Sequence, residues 1–256
     1  SYVLGRAYAL YAELAMGLGR DSAMVVKRSA VGLLTEPDAT IDLVASADEA
    51  FDAVEASNAA CKDDTEEFRR RMYAPLVNAA VNPYNQQQLD SAGALVKRGL
   101  SVYDGYRLAY IAYNILGNVQ QSKDQVDGAV DSFKKMASLM KGDTSQVDER
   151  KNVMLNVGQL IMAQAENLEG DAKKAKFSEA STYLETFLAE FPGDAKAQGA
   201  LARAQIASGN TAAADKVFGD MVASPDKYSD GALFEAGVNA ARANRPVDAA
   251  ALFNAG

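Results

Sequence analysis

Small and large apolar residues recur four apart along much of the chain, and charged or polar residues separate one such pair from the next. Four residues is slightly more than one helical turn, so each pair occupies one face of a helix. Near the C-terminus the pairs are Ala180 with Leu184, Ala214 with Phe218 and Ala249 with Phe253, spaced 34 and then 35 residues apart. Upstream, Ala129 with Phe133, Ala92 with Val96 and Ala50 with Val54 repeat the pattern at looser intervals. Self-similarity at this period predicts a chain built from repeated helical hairpins.

Twelve residues before the alanine a second small residue recurs: Gly117, Ala202 and Gly237, with Leu116 and Leu201 preceding two of them. Leu4-Gly5-Arg6-Ala7-Tyr8 is another copy of the same signature. The small residue is expected where two helix backbones cross closely, and the larger Phe or Leu beside that crossing. Gly142, Gly170, Gly193 and Gly209 follow helical stretches and suit left-handed helix ends. Ser46-x-x-Glu49, Asp64-x-x-Glu67 and Ser122-x-x-Gln125 read as capping boxes that open helices. Two places disturb the pattern. Residues 21–46 read as an insertion in the first repeat, an extra helix followed by a loop, and Pro75 predicts a kink or a broken turn in its helix. A third stretch, 169–178, lengthens the fourth hairpin.

These residues resemble the tetratricopeptide repeat, whose first helix carries L-G-x-x-Y and whose second carries A-x-x-x-F followed by Pro; Pro192 and Pro225 fall at or beside that last position. The resemblance implies an all-α fold, an α-solenoid of antiparallel helix-turn-helix repeats wound as a right-handed superhelix. About six units are expected: 1–61 with the 21–46 insertion, 64–103, 105–142, 149–192, 194–225 and an incomplete 229–256. It also implies a concave groove on the first helices that receives a peptide or a partner helix. The positions matching that groove are Ile111, Asn114, Asn118, Gln121 and Ser122 in one unit. In unit 194–225 they are Lys196, Gly199, Arg203, Ile206 and Ala207, and in the last Gly231, Phe234, Val238, Ala241 and Arg242. Among these, Asn114, Asn118, Gln121, Lys196, Arg203, Phe234 and Arg242 are the candidate partner-binding residues. The asparagines carry paired donor and acceptor groups suited to a peptide backbone.

Composition narrows the chemistry. Of 256 residues 48% are apolar and only 8% aromatic, which fits helices packed through small side chains. A net charge of −8 without a basic stripe disfavours nucleic acid, and a basic peptide or protein surface is the better partner. Apolar runs are short and broken by charges, so no membrane-inserting span is expected. With no histidine and a single Cys61, a zinc site or a catalytic triad is not expected, and no phosphate-binding loop is found. The Gly17-Leu18-Gly19-Arg20 cluster reads as a helix end, Asp63-Asp64-Glu66-Glu67 as a charged helix start, Arg69-Arg70-Arg71 as a solvated face, and Met136, Met140, Met154 and Met162 as packing. No catalysis and no cofactor is expected. The leading reading is a protein-interaction scaffold, with a self-associating structural subunit as the alternative. Both ends read as the middle of a repeat, as in a window from a longer chain, which leaves the compartment open between cytoplasm and periplasm or export.

Overall fold

The computed structural model describes residues 1–17, 24–105 and 107–256. The described residues hold twelve α-helices and one short antiparallel hairpin, and they form two compact units, Ser1–Gln125 and Val126–Gly256.

The first unit contains α1 (Tyr2–Gly17), β1 (Val25–Lys27), β2 (Thr40–Asp42), α2 (Leu43–Ser57), α3 (Lys62–Asn85), α4 (Leu89–Val102) and α5 (Tyr110–Ser122). Helix α1 packs on α2, and α3 on α4. Their core gathers Ala9, Ala12, Leu43, Ala47, Phe51, Met72 and Leu76. Gly5 of α1 lies against the Phe51 ring, where a Cβ would come within 2.8 Å of two ring carbons. The Leu4-Gly5 signature therefore marks a true close crossing. Its partner differs from the sequence expectation, because the fully buried pair of α2 is Ala47 with Phe51, while Ala50 is only half-buried. Positions three apart share a helical face, so spacing alone does not choose between the two phases.

Where it is described, the 21–46 insertion holds no α-helix before Leu43, only a β-hairpin with a short 3₁₀ turn at Arg28–Val31. Val25, Val26 and Lys27 pair with Asp42, Ile41 and Thr40, and Gly32 turns the chain between them at φ +77°. Val25-Val26 and Thr40-Ile41 are β-branched pairs, whose stiff side chains favour extended backbone. The hairpin is anchored by buried Met24, whose carbonyl accepts the Leu43 amide at 2.8 Å. Most of the Gly17–Arg20 cluster and the start of the insertion lie outside the described residues.

Helix starts also differ from expectation. Asp42 caps α2, its Oδ1 accepting from the amides of Val44 and Ala45 at 3.0 Å. Asp194 does the same for Ala197 at the start of its helix. Ser46 and Asp64 lie inside α2 and α3, and Ser122 ends α5, so none of the three capping boxes opens a helix. Nor does Pro75 break a turn: α3 runs unbroken through Pro75 and Pro83 to Asn85. Buried Met72, Leu76, Val77 and Ala80 surround the first proline, and their packing offsets the backbone bond it forgoes.

The second unit contains α6 (Val126–Leu139), α7 (Val147–Glu166), α8 (Gly170–Glu190), α9 (Ala195–Ser208), α10 (Thr211–Ala223), α11 (Asp230–Arg242) and α12 (Pro246–Ala255). Each expected small-large pair falls on one helix: Ala129 and Phe133 on α6, Ala180 and Leu184 on α8, Ala214 and Phe218 on α10, Ala249 and Phe253 on α12. All are buried except Phe253, 42% exposed on α12. The crossing contacts recur as well. A Cβ on Gly158 of α7 would meet Leu184 Cδ2 at 2.7 Å, and one on Gly237 of α11 would collide with the Phe253 ring. Gly158, not a residue twelve before Ala180, is the crossing glycine of the α7–α8 hairpin. Residues 169–178 account for the offset, because from Gly170 onward they form the first turns of a longer α8. Gly142, Gly170, Gly193 and Gly209 all have positive φ, as their positions at helix ends require.

Candidate functional site

In the first unit the candidate amides sit one turn apart on α5. Asn118 Nδ2 donates to the Asn114 carbonyl at 2.8 Å and also to Asn114 Oδ1. Each amide has two donors and one acceptor group. The interlock engages the Asn114 acceptor and the Asn118 Nδ2 donor, and Asn114 Nδ2 and Asn118 Oδ1 take no part in it. Both side chains are half-buried, which restricts their rotamers, and Gln121 continues the polar stripe as an exposed residue.

The first unit also holds an acidic cleft of about 400 Å³ that the sequence reading missed. Asp48, Asp52 and Glu55 form one face of α2 and converge on Arg69 of α3. Arg69 is only 7% exposed. Its Nη2 reaches Asp52 at 2.7 Å, its Nε reaches Glu55 at 3.1 Å, and its Nη1 serves both Asp48 and the Val102 carbonyl. Thr65 adds a hydroxyl to Glu55, and the Tyr103 hydroxyl donates to Glu66 at the rim. The solvated-face reading of Arg69-Arg70-Arg71 therefore fails for Arg69. Arg70 is exposed, and Arg71 pairs with Glu13 at 2.6 Å. The missed signal was the spacing of Asp48, Asp52 and Glu55 at i, i+4 and i+7, which places three carboxylates on one stripe.

Burial pushes the Asp48 carboxyl above its ordinary range; Arg69 opposes this, while Asp52 and Glu55 add to it. Burial alone would lower Arg69, yet the surrounding carboxylates hold it above its usual value. The two directions look opposed for one ion pair, but the count of charges explains them. Three carboxylates share one guanidinium, so the cation is over-compensated and the most enclosed acid is under-compensated.

In the second unit the candidates lie on α9 and α11. Lys196 is exposed and 3.7 Å from Glu235, and Arg203 pairs with Glu166 of α7. Both cations are thus largely neutralised within the unit. Phe234 is 60% exposed and rests on Phe253 with ring centroids 5.4 Å apart. Arg242 is exposed in the last turn of α11. Gly199, an expected groove position, is buried: a Cβ there would lie 3.0 Å from Asn239 Nδ2 and 3.2 Å from Ala236 Cα, so it serves the α9–α11 packing. The seven candidates thus form two sets, one in each unit. On α7, exposed Asn152, Gln159, Ala163 and Glu166 continue the same kind of stripe, which the displaced position of Gly158 hid from the spacing.

The sequence model of the tetratricopeptide repeat family matches residues 171–237. No curated protein sequence matches the chain. Among solved structures, the chain is similar to YrrB, a TPR protein with an unusual peptide-binding site, at 18% identity and a TM-score of 0.46, covering 80% of this chain and 90% of that one. It is also similar to a Podosopora anserina putative kinesin light chain with nearly identical TPR-like repeats, at 17% identity and a TM-score of 0.45, covering 70% and 90%.

Proposed function

The chain is a tetratricopeptide repeat protein, and from that premise we propose that it is a non-catalytic scaffold holding a protein or peptide along its first-helix faces. The observation that carries this reading is the interlocked Asn114–Asn118 pair, in which each side chain is held by the other while Asn114 Nδ2 and Asn118 Oδ1 take no part in the interlock. Such preorganisation lowers the ordering cost of binding, since the two side chains are already held. The exposed Phe234 ring, braced by Phe253, offers the second unit an apolar anchor of the kind that dominates binding energy. With Lys196 and Arg203 neutralised internally and the chain at −8, a basic partner is favoured over an acidic one.

Asn114→Ala combined with Asn118→Ala is expected to weaken binding to a partner captured on the immobilised chain by about tenfold, the scale of two lost hydrogen bonds. Helical content is expected to stay unchanged. An unaltered dissociation constant removes α5 from the binding face.

The alternative, a subunit of a self-repeating assembly, is favoured by one specific feature. Helix α1 carries an apolar stripe, Val3, Leu4, Leu10, Tyr11 and Leu14, all exposed. Light scattering separates the two readings: concentration-dependent growth in mass supports assembly, and a constant monomer mass at high concentration rejects it.

A further inference from the structure

The exposed face of α1 carries an ordered pattern, not a scatter of apolar residues. Val3, Leu10 and Leu14 are exposed, and half-buried Ala7 lies between them. Their spacing of four, three and four residues is that of a coiled-coil seam, with Ala7 and Leu14 at a and Val3 and Leu10 at d. Leu4 and Tyr11 then fall at e, and both are exposed. Buried Ala9 and Ala12 occupy the opposite side and belong to the core shared with α2. The seam thus faces away from the unit's own interior.

Charge says what the seam fits. The two g positions hold the only charged residues of α1, Arg6 and Glu13, one of each sign. Arg6 lies over the Tyr2 and Phe68 rings, 5.5 and 5.2 Å from their centroids, and pairs with no carboxylate among the described residues. Glu13 accepts from Arg71 Nη2 on its two oxygens at 2.7 and 2.6 Å, and a carboxylate has lone pairs left for a second cation. When two such helices run antiparallel, a faces d and g faces g. Setting Ala7 against Leu10 of a second copy therefore brings Arg6 opposite that copy's Glu13, and a two-fold axis makes the same pair again. The same register sets Val3 against Leu14 and Leu4 against Tyr11. A parallel pair would instead stack Ala7 on Ala7 and turn Arg6 toward Tyr11, with no acid to meet it.

We propose that α1 binds α1 of a second copy of this chain, antiparallel about a two-fold axis, with Arg6 and Glu13 pairing across it. One stripe supplies both halves of every contact, so the assembly closes at two copies. That separates it from the open, self-repeating alternative, with which it shares only the α1 stripe. None of these residues belongs to α5 or to the second unit, so the scaffold reading stands or falls separately.

Sedimentation equilibrium of the full chain over a hundredfold range of concentration tests the pairing. The mass is expected to rise from one copy to two and no further. Arg6→Glu leaves two acids at the g positions and Glu13→Arg leaves two cations, so each variant alone sets like charges across the axis and is expected to dimerise about tenfold more weakly. Mixed in equal amounts the two variants are complementary again, and they are expected to form a heterodimer as tight as the unaltered pair. Because Glu13→Arg also removes the contact with Arg71, a second variant is needed. Leu10→Asn touches neither charge and changes an exposed position; it is expected to abolish the dimer while helical content is unchanged. A monomer at every concentration overturns this proposal and the assembly alternative together, whereas growth beyond two copies overturns this proposal alone. A mixture no tighter than its components, or a dimer undiminished by Leu10→Asn, overturns it as well.

Discussion

Arg69→Ala is expected to destabilise the first unit by about 3–5 kcal/mol, the cost of removing one partner from a buried charge pair. The reason is local and arithmetical. Asp48, Asp52 and Glu55 face the same buried guanidinium, and once it is gone three carboxylates confront one another with only Thr65 and solvent to answer them. Arg69→Lys is expected to recover only part of the loss, because a point charge does not reach three acceptors as a planar fork does. The cost should also shrink in acid, since protonation relieves the repulsion. Asp48 makes that pH dependence specific. Its folded carboxyl is raised above the ordinary 3.8, chiefly by burial, so between 3.8 and the folded value the native state holds more protons than the unfolded chain. The native state therefore gains most below the unfolded pKa and loses that gain as pH rises through the folded one. Asp48→Asn is then expected to raise stability at neutral pH and to lose its advantage below about pH 4. Urea melts of the three variants across pH check both signs. A pH-independent Arg69→Ala cost would show that the carboxylates are not what Arg69 compensates.

What could be read from sequence alone follows from how each feature is encoded. The hairpins were legible because Ala180, Ala214 and Ala249 and their larger partners all lie within one helix, where spacing maps directly to a face. The left-handed glycines were legible for the same reason: a helix end is a local event, and Gly142, Gly193 and Gly209 mark it in place. Contacts between helices were less accessible. Gly158 meets Leu184 across a hairpin whose two helices are both lengthened, so a fixed offset of twelve residues pointed elsewhere. The Arg69 cleft was hidden in another way. A run of three arginines looks solvated until the tertiary fold turns one of them toward an acidic stripe on a different helix. The caps failed because Ser46 and Asp64 satisfy a pattern that Asp42 and the packing of α3 had already made unnecessary. Among the candidate binding residues, sequence placed Asn114 and Asn118 on one helix but carried no sign that Arg203 and Lys196 would be tied to Glu166 and Glu235.

The crossing of α7 and α8 gives the sharpest test of the repeat packing. Leu184 is fully buried, so Leu184→Ala is expected to cost about 2–5 kcal/mol through lost contacts and a cavity. Gly158→Ala acts from the opposite side. An alanine there gains about 1 kcal/mol in helix propensity over glycine, but its Cβ lies 2.7 Å from Leu184 Cδ2 and forces that enclosed side chain out of place. Overpacking of this kind costs about 1–3 kcal/mol, so a net loss is expected. Gly219 on α10 supplies the control, because nothing lies within 4 Å of its Cβ position and Gly219→Ala should simply stabilise. In the Leu184→Ala background the clash disappears, and Gly158→Ala should change sign and stabilise as Gly219→Ala does. Chemical denaturation of the single and double variants measures this coupling as the departure from additivity. If Gly158→Ala costs the same with and without the leucine, the glycine is not a socket for that side chain, and close packing at the crossing is not what the repeated small residue secures.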